Sequence, residues 1–178
     1  MIWFFIFAGI IIGIFIYNSL IDRRNKVKYA LAGIDALLKK RADLVPNLVN
    51  TVKGSMKHER ETLKNITTIR SEILKKQKEE EKRFEDESVL GILLSEIVIS
   101  TENYPELKTN QNFLHLQASL EELEEQISAG RRAYNATVYD YNNTIEMFPL
   151  SLIAKLFGYS KKAFFEHNEK KDISINSI

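Results

Sequence analysis

The chain has 178 residues, enough for one domain with an appendage, and its 25 basic and 24 acidic residues nearly balance. A duplex-binding protein usually carries a basic excess, so a nucleic-acid partner is not expected. The absence of cysteine excludes disulfides, thiolate metal sites and cysteine nucleophiles. The chain has only seven glycines and three prolines, so turns and strands are poorly supplied. The other residues are rich in helix formers, and this composition indicates an all-α fold.

The first predicted element is an apolar segment, Ile2 to Ile21, that contains no charged side chain. About 20 helical residues at ~1.5 Å each span the ~30 Å hydrocarbon core of a bilayer. A cleaved signal peptide is disfavoured because no basic region precedes the segment and no Ala-x-Ala-like site is present. We therefore predict a transmembrane anchor at residues 1–21, a helical domain at 22–166 and a polar tail at 167–178.

Basic side chains follow the predicted anchor and recur near the end of the chain. The positive-inside tendency predicts a single-pass protein of the cell (inner) membrane, with its N-terminus outside and its domain in the cytosol. These side chains are also candidates to hold anionic headgroups, which makes membrane lipid a predicted partner. The six candidates are Arg23, Arg24, Lys26, Lys28, Lys161 and Lys162.

A helical stripe of apolar residues runs from Val27 to Ile73, with steps of mostly three, four or seven. Pro46 interrupts this stripe, because proline has no N–H for the carbonyl four residues back. Asp43 is a plausible N-cap for a helix that restarts there. The apolar phase nevertheless survives across Pro46, so a kink and a tight turn both stay open. A turn gives four antiparallel helices, and a kink gives three.

The second half of the chain predicts further helices. The charge run at 75–87 is interpreted as a solvated helix end and loop. The apolar segment 89–99 contains a β-branched run, but no second strand is available to pair with it, so it is predicted as a helix. After a break at Pro105, near-heptad apolar spacing predicts a long helix from about Asn110 to Met147, as in a bundle or coiled coil, with Asn110 as its cap.

Residues 150–157 follow a Phe-Pro corner and predict a short amphipathic helix, with Gly158 as its C-cap. If the preceding helix returns to the bilayer, the apolar side chains of residues 150–165 would lie at the membrane interface. Otherwise these side chains pack on the bundle.

No catalytic constellation emerges from the spacing of reactive residues. His58 and Glu59 begin an HExxH pattern, but position 62 is threonine. The other histidines, His115 and His167, are distant in sequence, and no nucleophile, base and orienting group can be assembled. We therefore predict no enzyme activity, cofactor, metal or small-molecule substrate. A scaffold or adaptor, bound to another membrane protein or to a second copy, is the first functional hypothesis, and a lipid-surface module is the alternative.

Long ordered motifs then identify a family resemblance. YNSLIDRRNKV, IDALLKKRADLVPNLVNTVKG, YPELKTNQNFLHLQ and RRAYNATVYDYN resemble the LemA family, and the likeness extends from Tyr17 to Glu166. The resemblance implies a bacterial single-pass membrane protein with a soluble antiparallel four-helix domain, which favours the turn at Pro46, and implies no known catalytic activity. Residues that carry the pattern, with expected structural roles, are Asn25, Asp35, Arg41, Asp43, Pro46, Asn47, Tyr104, Pro105, Asn110, Gln117, Arg131, Arg132, Tyr134 and Asn135.

Three arginines in this pattern need carboxylate partners wherever they are buried. We predict an ion-pair network at the helix ends that joins Arg41, Arg131 and Arg132 to Asp35, Asp43 and Glu124. Gly130 stands where the family commonly has alanine. In mid-helix it costs about 1 kcal/mol relative to alanine, or it allows a neighbouring helix to approach closely.

Overall fold

A computed structural model describes residues 1–74 and 80–165, with side chains described except at 80 and 81. Every regular element in these ranges is helical, which confirms the all-α prediction there. The elements are α1 (Ile2–Val52), α2 (Arg60–Ile73), α3 (Glu80–Ser100), a 3-10 turn (Thr101–Asn103), α4 (Pro105–Lys108), α5 (Gln111–Glu146) and α6 (Leu150–Leu156). Part of the predicted charged loop, the polar tail and His167 lie outside the described residues.

Helix α1 passes through Pro46 without interruption, so the turn that the family resemblance favoured there is wrong. Asp43 lies exposed inside the helix and does not cap a new one. The Ala42 carbonyl, for which Pro46 has no N–H, accepts a hydrogen bond from Arg70 Nε–H at 2.7 Å. The guanidinium of α2 thus supplies the missing donor. The chain turns back at residues 53–59 instead.

Several predicted boundaries are confirmed by their hydrogen bonds. Asn110 Oδ1 accepts the backbone N–H groups of the second and third residues of α5, at 3.0 and 3.1 Å. Pro105 begins α4, and the segment 89–99 lies within α3. Gly158 follows α6 at φ +70°, and Tyr159 N–H donates to the Ala154 carbonyl at 2.9 Å. This is a Schellman motif, so Gly158 terminates α6 as predicted.

Two compact units make up the chain, and both draw on α1 and α5. The first unit comprises Met1–Leu37 and Ile127–Phe164. Its core is formed by buried residues of both helices: Leu20, Val27, Ile34, Ile127, Tyr134, Val138, Tyr141 and Ile145. A Cβ added at Gly130 would lie 3.2 Å from Ile34 Cγ1. The absent side chain therefore allows α1 and α5 to approach closely, as the sequence suggested.

The second unit comprises Leu38–Gln126 and Phe165–Ile178, of which Phe165 is described. Its core draws on α1, α2, α3, α4 and α5 and contains Val45, Leu48, Val52, Met56, Leu63, Ile66, Leu90, Leu94, Ile97, Leu107, Phe113 and Leu120. Full burial of each aliphatic or aromatic side chain contributes about 1.5–3 kcal/mol. Phe84 stacks on Phe165 with 3.9 Å between ring centroids, which fixes Phe165 on this unit.

The apolar start of α1 is almost entirely exposed. Only 6% of its most apolar 18-residue window is buried, and α1 is the one helix of the described ranges that is long and apolar enough to cross a membrane. Packing inside the protein therefore does not account for this apolar surface. The helix is consistent with a membrane anchor.

Candidate membrane-interface site

Half of the six basic candidates are neutralised by carboxylates. Three ion pairs, all on the first unit, are Arg23–Asp140, Lys26–Asp22 and Lys161–Glu146. These pairs are largely exposed to solvent, so each contributes little to stability. They also reduce the positive charge that these three cations present to an anionic ligand.

The other three candidates, Arg24, Lys28 and Lys162, have no carboxylate oxygen within 4.0 Å in the part of the chain that the structure describes. All three line one pocket of about 360 Å³, which we name the Arg24 pocket. Tyrosines 17, 141 and 159 also line it, and its walls contain no Asp or Glu. Three cations without an ion pair among the described residues therefore line one pocket on the first unit.

The segment 158–163, which forms one wall of the Arg24 pocket, is held by side chains of α5. Asn142 Nδ2–H donates to the Lys162 carbonyl at 2.9 Å, and Lys162 N–H donates back to Asn142 Oδ1 at 2.8 Å. The Tyr141 hydroxyl donates to the Ser160 carbonyl at 3.0 Å, and the Tyr134 hydroxyl donates to the Ala163 carbonyl at 3.1 Å. Three residues of the RRAYNATVYDYN motif, Tyr134, Tyr141 and Asn142, thus position a loop.

The sequence predicted that Tyr134 and Tyr141 pack, and both are buried. Their hydroxyl hydrogen bonds, and those of Asn142, were not predicted. The signal available was their spacing: positions 134, 141 and 142 lie seven and eight residues apart, on one face of a helix. That spacing does not reveal a partner segment about 20 to 30 residues further along the chain.

Electrostatic and ring contacts join the pocket walls. The Arg24 guanidinium carbon lies 5.6 Å from the centroid of the Tyr159 ring, within the range of a cation–π contact. Burial raises the pKa of Tyr141 above its usual value, Arg24 opposes that rise, and Tyr159 adds to it. Tyr141 is therefore a neutral hydroxyl at physiological pH.

An exposed apolar patch adjoins the same pocket. Leu152, Leu156 and Phe157 on and after α6 are 62%, 81% and 59% exposed. The Phe157 ring contacts the ring of Tyr17, with 5.4 Å between centroids. Tyr17 lies near the end of the uncharged segment, so the patch sits beside the point where that segment ends.

Arg41 forms a second polar cluster, in the core of the second unit. Its guanidinium pairs with Glu87 Oε2 at 2.6 Å and Glu124 Oε2 at 2.8 Å, and it donates to the Glu87 carbonyl at 2.6 Å. The side chains of Arg41 and Glu87 are 1% and 0% exposed, whereas that of Glu124 is 51% exposed. This cluster lies in the middle of the helices, so the predicted location at helix ends is wrong for Arg41.

The partners of the other predicted network residues differ from the expectation. Glu124 is confirmed as a partner of Arg41. The prediction that Asp43 is a partner is wrong, because Asp43 makes no ion pair within the described ranges. Glu87 was missed because it ends a charge run interpreted as solvated. Arg132 donates to Ser128 Oγ at 2.9 Å, one turn back, and to no described carboxylate. Arg131 is buried, as an arginine that needs partners would be.

The remaining family positions have varied surroundings. The Tyr104 hydroxyl donates to Glu59 Oε2 at 2.6 Å, and this bond to a carboxylate raises the pKa of Tyr104. Gln117 donates to Glu121 Oε1 at 3.0 Å, one turn along α5. Asn25 and Asn47 are exposed, and Asp35 and Asn135 are half-buried and have interaction partners.

The other surface features considered do not combine a cluster of cations with a pocket. A larger pocket of about 920 Å³ is lined chiefly by amide and small side chains of α1 and α5, with no Lys or Arg among the described residues that line it. His58 and His115 are exposed, and no group of three metal-binding side chains occurs among the described residues. The Arg24 pocket with its apolar patch is therefore the candidate site.

The fold and this site define an all-helical protein whose long N-terminal helix begins with an exposed, apolar segment. Residues 30–176 match the LemA family, and the chain belongs to that family. It is 24% identical to Protein LemA of Metamycoplasma hominis over 98% of this chain and 83% of that protein. It is also 28% identical to Magnetosome protein MamQ 2 of Paramagnetospirillum magneticum, and 26% identical to Magnetosome protein MamQ of Magnetospirillum gryphiswaldense. These two likenesses cover 48% of this chain and 31% of each relative.

Proposed function

We propose that this chain is a membrane-anchored helical scaffold or adaptor without catalysis, with its domain in the cytosol. The observation that carries the proposal is the continuity of α1. The exposed apolar segment and the rest of α1 in the first unit, which packs against α5, belong to one helix with no linker between them. An anchor of this kind holds the adjoining helical surface at a fixed distance from the bilayer, where a membrane partner can dock.

A groove on the first unit supports the scaffold proposal. It has a volume of about 480 Å³ and is lined by Tyr29, Ala30, Ala133 and Thr137, among others. Tyr29 is 84% exposed, and tyrosine is enriched at protein interfaces because a large ring is buried at small entropic cost. The alanines leave room for another helix to approach. The proposed partner is a second membrane protein or a second copy of this chain.

The test of the scaffold is purification of the full chain in mild detergent, with mass measured by light scattering and co-purified proteins identified. We expect an oligomer or a stable complex, which the double variant Tyr29→Ser/Ala133→Glu loses. Tyr139→Ser is the matched control, because Tyr139 is also exposed but lies outside the groove. A wild-type chain that is monomeric and without a partner would contradict the proposal.

We further propose that the second unit is an antiparallel up-and-down four-helix bundle. Ala42 lies ten residues before the end of α1, and its contact Arg70 lies ten residues after the start of α2. Arg41 likewise contacts Glu87, thirteen residues before the end of α3, and Glu124, thirteen residues after the start of α5. Equal offsets on both sides of a connection support an antiparallel hairpin in each case.

A lipid-surface module is the second candidate function. It is favoured by the contact between Tyr17 and Phe157, which brings the exposed side chains of α6 beside the end of the apolar segment. Leucine and phenylalanine next to lysines are the composition of segments that lie in the interface plane of a bilayer.

The lipid-surface function is tested on the full chain in nanodiscs, with a polarity-sensitive dye on an introduced cysteine. A dye at Leu156→Cys is expected to shift to the blue and to be quenched by brominated lipids. The control is Ala36→Cys, an exposed position on the same unit and about 28 Å along α1 from Tyr17. If the dye at position 156 gives the same spectra as the dye at position 36, the lipid-surface function is contradicted.

A further inference from the structure

The charges around the Arg24 pocket are not balanced as they are in the three ion pairs of the neighbouring basic candidates. Asp22 and Lys26, one turn apart on α1, carry opposite charges and pair at 2.8 Å. Arg24 and Lys28 are also one turn apart, but both are positive, and like charges at this spacing repel. Lys162 adds a third positive charge from the facing loop. Three positive charges that line one pocket repel one another, and a bound anion offsets that cost.

The remaining lining fits a tetrahedral oxyanion. The hydroxyls of Tyr17 and Tyr159 supply neutral hydrogen-bond donors beside the three cations, whereas the Tyr141 hydroxyl already donates to the Ser160 carbonyl. Arginine and lysine bind phosphate through short, charge-assisted hydrogen bonds. The volume of about 360 Å³ lies within the range of small-molecule sites, about 300–1,000 Å³. The wall formed by residues 158–163 is held in place by the hydrogen bonds from α5, so the pocket is pre-formed.

The position of the pocket further limits the class of ligand that it can bind. Tyr17 lines the pocket, and it also contacts Phe157 at the edge of the exposed apolar patch. A ligand with an acyl chain can therefore place its phosphate among the cations and its hydrocarbon along that patch. We propose that the Arg24 pocket binds one phosphate group through Arg24, Lys28 and Lys162, as the headgroup of an anionic phospholipid or as a soluble phosphate ester.

This inference rests on the lipid-surface function proposed above, but it predicts something that general attraction to a charged surface does not. The chain offers a matched control, because three of its six candidate basic residues line the pocket and the other three do not. The triple variant Arg24→Gln/Lys28→Gln/Lys162→Gln and the triple variant Arg23→Gln/Lys26→Gln/Lys161→Gln each remove three positive charges. Only the first set lines the pocket and lacks carboxylate partners among the described residues.

The experiment uses the full chain in uncharged detergent, with binding followed by phosphorus NMR. The probes are dihexanoyl phosphatidylglycerol, glycerol phosphate and inorganic phosphate, and helicity is checked by circular dichroism for every variant. We expect the pocket triple to weaken phosphatidylglycerol binding at least about tenfold, because it removes three charge-assisted contacts. The control triple is expected to bind within about threefold of wild type, because exposed ion pairs contribute little.

A competition experiment distinguishes the two possible sources of the phosphate group, a lipid headgroup and a soluble ester. Displacement of phosphatidylglycerol by glycerol phosphate at equal concentration assigns a soluble ester, and resistance to that displacement assigns the lipid. Equal weakening by both triples overturns the pocket while leaving a diffuse lipid-surface function intact. Failure of the helical wild-type chain to bind any of the three probes overturns the pocket as well. Loss of the dye shift at Leu156 in nanodiscs separately reports failure of the lipid-surface function.

Discussion

At the scale of single residues, the two carboxylates that pair with Arg41 differ in exposure, which separates their energetic roles. Glu87 is fully buried and Glu124 is half-exposed. Removing the charge of Glu87 leaves a buried guanidinium without its nearest counter-charge, which costs about 3–5 kcal/mol. Water reaches Glu124 and screens its pair with Arg41, so its loss costs about 1 kcal/mol or less.

We therefore expect Glu87→Gln to lower the free energy of unfolding several times more than Glu124→Gln. Denaturant unfolding followed by circular dichroism measures both, and both substitutions keep the shape of the side chain. Equal losses would mean that the buried pair has no special role.

Gly91 illustrates a second effect at this scale. A Cβ there would lie 3.2 Å from Arg41 Nη1, a group whose hydrogen bonds leave it little freedom to move. Gly33, in α1, has open space around an added Cβ. Alanine at position 33 is thus expected to stabilise the chain by about 0.5–1 kcal/mol through helix propensity alone.

The same substitution at Gly91 is expected to give no gain or a net loss in the free energy of unfolding, because the strain offsets the propensity. Thermal unfolding of the two single variants decides the point. A gain for Gly91→Ala equal to that for Gly33→Ala would show that Arg41 moves freely.

At the scale of elements, Pro46 and Arg70 form a coupled pair although 24 residues separate them. Pro46 removes a helical donor, and Arg70 Nε–H replaces it at the buried residue Ala42. Arg70→Met leaves that carbonyl without the donor, at a cost of about 1–3 kcal/mol. In a Pro46→Ala background the backbone N–H returns, so the same change is expected to cost less.

A double-mutant cycle of Pro46→Ala and Arg70→Met measures the coupling between the two positions. Denaturant unfolding of the four proteins gives its value, and we expect at least about 0.5 kcal/mol, as for residues that share one hydrogen-bond acceptor. Strict additivity would mean that Arg70 does not compensate for the proline.

The same pair explains which elements could be predicted. Helix periodicity and the caps at Asn110 and Gly158 depend on residues within one or two turns, so the sequence reveals them. The continuity of α1 depends on a donor from α2, which no local pattern encodes. The candidate site divides in the same way. All six cations were recognisable, and the spacing of Asp22 and Lys26 is that of a local pair. Asp140, the partner of Arg23, lies 117 residues away in sequence, so only the fold identifies that pair.

At the scale of the whole molecule, the charge asymmetry around the apolar segment bears on its orientation. No Lys or Arg precedes the segment, and four follow it within seven residues. Positive charges near a span remain on the cytosolic side, so we expect the N-terminus outside and the helical domain inside. The proposed scaffold and lipid functions both require this placement to be uniform among the molecules of one membrane.

The cysteine-free chain allows a direct test of orientation, because an introduced cysteine is the sole thiol. In spheroplasts, a membrane-impermeant maleimide is expected to label a cysteine added before Met1 at once and Lys57→Cys only after the membrane is permeabilised. Lys57 is exposed, so its access to the reagent depends on the membrane and not on burial. Labelling of Lys57→Cys in intact spheroplasts would place the domain outside, against the positive-inside tendency. The basic side chains of the Arg24 pocket would then face the outer leaflet.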